Sequence, residues 1–90
     1  MNVRPPELQK YGAFLDAQPT LVHITFQYCL CLIMVEAGKM HLVETLPGHD
    51  GTVCTFETAT GDIFSIAHPQ ISRDQEAALI KILKSKLNLV

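Results

Sequence analysis

The sequence predicts a small α+β domain: a helical hairpin, a three-stranded antiparallel meander and a C-terminal helix. Three observations predict it. Thr20 to Ala37 is a dense apolar run bounded by Gln18-Pro19 and Gly38. Residues 39 to 67 break into short runs of alternating character separated by turn residues. Ser72, with Gln75 three residues on, opens a final segment whose apolar residues recur at helical spacing.

The first helix is expected over residues 5–17. Pro5-Pro6 gives a stiff entry, and Leu8, Tyr11, Phe14 and Leu15 fall on one side, with Gly12 as a weak point. A residue that precedes proline avoids the helical region, so Gln18 ends this helix and Pro19 starts the next. That second helix, 19–37, stops where Gly38 can adopt the left-handed conformation. Thr20, His23 and Gln27 mark one polar edge of it, while Tyr28 to Val35 is apolar on every side, as befits a buried helix end.

The same stretch carries a competing signal. From residue 22 to 28, Val22, Ile24, Phe26 and Tyr28 alternate with His23, Thr25 and Gln27, which is a strand pattern. In that alternative residues 21–36 form the first strand of a four-stranded meander, with Ala37-Gly38 as a hairpin turn and Glu36 facing Lys39. The helix is preferred because the alternation fails after Tyr28 and the run exceeds a usual strand.

Strands are expected at 39–46, 52–58 and 62–67. Pro47-Gly48-His49-Asp50-Gly51 and Ala59-Thr60-Gly61-Asp62 supply the turns between them. Cys54 and Phe56 share one face of the second strand, and Phe64 and Ile66 one face of the third. One sheet face must be covered, and the long helix is the expected cover. The last helix is expected over 73–88, with Asp74 and Glu76 in its first turn and Lys81, Lys84 and Lys86 toward its end, the distribution that complements a helix dipole. Leu79, Ile82, Leu83, Leu87 and Val90 form its expected packing stripe.

The 90 residues form a single domain, 1–90. Hydrophobic residues make up 48% and charged residues 18%, so there is more apolar material than a lone domain of this size covers easily. That surplus points to a surface for self-association or for another protein, with a two-fold homodimer as the default form. Seven basic and nine acidic residues give a net charge of −2 with no basic block, which disfavours nucleic acid as a partner. The order helix, three strands, helix also describes double-stranded-RNA-binding domains, an analogy of topology alone. The amino terminus lacks the apolar run of a signal peptide, and the long apolar stretch carries His23 and Gln27, against a membrane span. A cytoplasmic protein is expected.

Chemistry finds little foothold in the sequence. Cys29 and Cys31, two apart on a helix, are separated by about 200° of rotation and cannot share one metal. With Cys54 they are expected to be buried and inert. His49-Asp50, in the first turn, is the best candidate for a carboxylate-oriented imidazole, with His41 or His68 as possible companions. A solvated turn explains the pair as well. No nucleophile elbow or phosphate-cradling loop occurs. The sequence therefore predicts a non-enzymatic interaction or regulatory module without cofactor, acting through an apolar surface that includes Val22, Phe26, Leu30, Ile33 and Phe64. The alternatives are a small-molecule or metal-binding domain built on the histidines near the turns, and a nucleic-acid-binding domain.

Overall fold

The structure is a computed structural model that describes residues 4–48 and 51–89. Its element order is α1 (Pro6–Gln9), α2 (Gly12–Asp16), α3 (Thr20–Glu36), β1 (Met40–Gly48), β2 (Gly51–Thr58), β3 (Ile63–Ala67) and α4 (Arg73–Lys86). The three strands form one antiparallel sheet in the order β1-β2-β3. The α+β class and the helical reading of residues 20–37 are thereby shown, and the four-stranded alternative is excluded.

The segment expected as one helix over 5–17 is two short helices joined through Lys10 and Tyr11. Tyr11 leaves the α-helical region (φ −101°, ψ 6°) and its N–H bonds to the Leu8 carbonyl three residues back. Gly12 follows directly. Its missing side chain leaves room for the Arg4 guanidinium, whose Nη1 would lie 2.6 Å from a Cβ at that position and whose Nη2 bonds to Asp16 Oδ1 at 3.0 Å. Leu8, Tyr11 and Leu15 are buried, as their spacing required.

α3 ends in a Schellman motif. Gly38, at φ +76°, donates to the Val35 carbonyl, and Lys39 N–H reaches back to the Met34 carbonyl at 2.9 Å. The chain is thus turned directly into β1. α4 opens with the full capping box: Gln75 N–H donates to Ser72 Oγ, and Ser72 N–H to Gln75 Oε1 at 2.9 Å. It closes on a second Schellman motif with Asn88 left-handed at φ 54°.

Two expectations at the strand ends are corrected. Pro47, Gly48 and Gly51 belong to the β1–β2 ladder, which continues through Pro47↔Thr52 to Gly48↔Gly51. Proline is tolerated there because β1 is an edge strand. The remaining turn residues, His49 and Asp50, lie outside the described residues. Along α4, Leu83 is fully buried and Leu79 and Leu87 pack against the core, but Ile82 is exposed; Val90 lies outside the described residues.

Cys54, Phe56, Thr58 and Phe64 face the helices from the sheet, with Phe56 and Phe64 stacked at 5.8 Å between ring centroids. α3 lies over this face, and Cys29, Leu30 and Cys31 have no exposed surface. The two-helix arm packs on a further side, where Phe14 stacks on Phe26. α4 packs alongside α3 in the same direction: Leu79 sits with Val22 and Phe26 near the start of α3, and Lys84 bonds to Glu36 at its end, 3.0 Å. From Tyr28 to Met34 α3 is buried apart from half-buried Leu32, which is why an all-apolar surface is tolerated there.

Candidate interaction surface

The start of α3, Thr20 to Val22, projects into solvent. Residues 23 and 27 face the arm: His23 Nε2 and Gln27 Oε1 are 3.2 Å apart, and His23 Nδ1 lies 4.0 Å from Asp16 Oδ1. Val22 and Phe26 border Leu79 of α4, and Phe26 also stacks on Phe14 of the arm. The remaining direction belongs to Leu21 and Thr25, whose hydroxyl donates back to the Leu21 carbonyl at 2.9 Å and so presents little polarity outward. Leu21 is 81% exposed, the most exposed large hydrophobic residue among the described residues.

Two apolar hollows flank Leu21. One, of about 280 Å³, is lined by Leu21, Val22, Thr25, Phe26 and Leu79 between α3 and α4. The other, of about 400 Å³, is lined by Leu21, Ile24 and Thr25 on one side and by residues 67–71, the link from β3 to α4, on the other. The link is held in place by two features. His68 N–H donates to the Thr52 carbonyl at 2.7 Å, and the His68 ring meets the Tyr28 ring edge-on at 4.8 Å.

Of the five residues expected on an interaction surface, Val22 is at the surface, 36% exposed. Phe26, Leu30, Ile33 and Phe64 are buried within the chain, and this corrects their assignment to a surface. The apolar surplus that suggested an interface is largely consumed by the enclosure of α3. Leu21 lies within the apolar run 21–35 to which sequence reasoning assigned the surface but was not singled out, and Leu79 and the link residues were missed, because an all-apolar helix does not indicate which of its sides is left open. The available signal was position: Leu21 lies in the first turn, ahead of the residues the arm can reach.

The residues considered for chemistry do not converge. His41 is on the open face of the sheet beside Glu57, with Nε2 3.1 Å from Oε1, whereas His68 is on the helix-covered side. His49 and Asp50 are outside the described residues. Among the described residues no group of three or more His, Cys, Asp or Glu side chains is placed to hold a metal ion. The three thiols are free and buried, and burial pushes Cys29 up to about 11 and Cys31 up to about 12, while Cys54 is raised for the same reason. Burial likewise raises the Tyr28 hydroxyl to about 12. These groups stay protonated at neutral pH and are poor nucleophiles.

No helix among the described residues is long and apolar enough to cross a membrane. Comparison of the chain with known proteins finds no matching family model, no matching curated protein and no matching solved structure.

Proposed function

We propose that this protein is a non-enzymatic interaction module that receives apolar side chains of another protein on the ridge and hollows around Leu21. The observation that carries the reading is Leu21 itself: an 81% exposed leucine standing between two apolar hollows. Leaving such a side chain in water forgoes roughly 1.5–3 kcal/mol that burial would supply. Protonated, inaccessible thiols support a non-catalytic role, and their free state suits a reducing compartment such as the cytoplasm.

The test is quantitative capture of cellular proteins by wild type and by Leu21→Glu. A partner recovered with wild type and lost with Leu21→Glu, whose thermal stability stays within about 0.5 kcal/mol of wild type as surface substitutions do, is the expected result. An identical set of captured proteins would count against the reading.

A further inference from the structure

The β1 edge of the sheet is open along most of its length. β1 is the first strand of the sheet and, among the described residues, pairs on one side only, with β2. The direction of its backbone groups follows from the bonds of β2. Thr58 N–H bonds to Asp62 O at 2.8 Å and His68 N–H to Thr52 O at 2.7 Å, so even-numbered residues of β2 turn toward β3. Odd-numbered ones turn toward β1, as Ala59 N–H to Lys39 O at 3.0 Å continues to show. Through the register, His41, Glu44 and Leu46 bond inward, and Met40, Leu42 and Thr45 turn their backbone N–H and C=O groups out of the sheet.

A bulge lies between Leu42 and Glu44, so Val43 is the extra residue and two inward residues separate outward Leu42 from outward Thr45. This asymmetry restricts what can pair with the edge. A partner strand of regular alternation would match β1 on one side of the bulge and mismatch it on the other. A second β1, running antiparallel about a two-fold axis between Val43 and Glu44, carries the same irregularity at the same place. In that register Leu42 faces Thr45 of the second copy and Met40 faces its Pro47, each twice, so outward groups meet outward groups throughout.

We propose that two copies of this chain associate through β1 in this register, giving one continuous six-stranded antiparallel sheet. Roughly six backbone hydrogen bonds form; Pro47, which has no N–H, ends the ladder on each side. Leu42, Val43 and Leu46, now 47%, 52% and 52% exposed, are partly covered. His41 lies diagonally across from Glu44 of the second copy on the open face, an opposite-charge contact made twice when the imidazole is protonated. The two Glu44 side chains approach each other at the axis and oppose association. An edge-to-edge ladder of this length falls below about 1,200 Å² of buried surface, which places the dimer in the weak class. Its surface excludes the Leu21 ridge, so the two proposals stand or fall separately.

The test is the mass of the full chain against concentration, by native mass spectrometry and analytical ultracentrifugation between about 1 and 200 µM, a range suited to weak interfaces. A monomer–dimer equilibrium is expected. Leu42→Lys and Thr45→Pro should each abolish it, and Glu44→Gln should tighten it several-fold. Glu44→Cys should form an intermolecular disulfide under mild oxidation, whereas Leu21→Cys should not. A wild-type chain monomeric throughout the range overturns the proposal, as does a dimer that Leu42→Lys leaves intact or that Leu21→Glu dissolves. Should Leu42→Lys or Thr45→Pro fail to fold, the Glu44→Cys disulfide decides on a chain whose outward-bonding residues Met40, Leu42 and Thr45 are unchanged.

Discussion

Individual side chains fall into two groups, those the core cannot lose and those it does not use. Phe56, without exposed surface and stacked on Phe64, belongs to the first. Phe56→Ala is expected to cost about 3–5 kcal/mol in chemical denaturation, and a loss below about 1 kcal/mol would show that the sheet–helix core is loosely packed. The thiols give a pH prediction. Cys29 and Cys31 are held in the folded chain above their ordinary value, so folding favours their protonated forms. The associated stability is fully present below about pH 9, where the unfolded thiols are also protonated, and is lost as pH rises toward 11–12. Melting temperature should therefore fall above pH 9, and folded protein should resist thiol reagents at pH 7 until denaturant is added. At this scale the sequence was legible for burial type, since cysteines beside leucines and isoleucines are core material. It was not legible for Phe26 and Leu30 as against Leu21, because residue type does not record which neighbour covers it.

Among the elements, the termini were the most readable features. Ser72 with Gln75 and Gly38 after an apolar run each specify a local hydrogen-bond pattern that needs no tertiary partner, and both patterns are present. Their substitution is correspondingly local. Ser72→Ala is expected to cost about 1 kcal/mol, and Gly38→Ala about 1–2 kcal/mol because of its positive φ; thermal denaturation would check both, and no change in either would mean the helix end had rearranged. Helix interiors and strand ends were less readable. Gly12 marks a weak point in residues 5–17, but it does not by itself show a break at Tyr11, because the space at Gly12 is claimed by Arg4 from outside the helix. Pro47 signalled a turn by its chemistry, yet it stands in a strand because β1 has a free edge where its missing N–H is not required.

For the whole molecule, the class and the order of elements followed from periodicity and turn residues, while the surfaces did not. The sheet's open face, the β1 edge and the Leu21 ridge are consequences of how few elements there are to cover a three-stranded sheet and two long helices. Leu21→Glu and Leu42→Lys separate the two proposed surfaces: each is expected to abolish one association and leave the other unchanged, and a single variant that abolished both would merge them into one interface.

α3 and α4 run side by side in the same direction, so their peptide dipoles add rather than cancel. The positive poles of both helices fall at the Leu21 end of the molecule. Asp74 and Glu76 offset the pole of α4, but the first turn of α3 holds no acidic residue and Pro19 supplies no capping side chain. That pole would favour acidic flanks on a protein docking at Leu21, and an acidic residue placed at Thr20 would supply such a charge from within the chain.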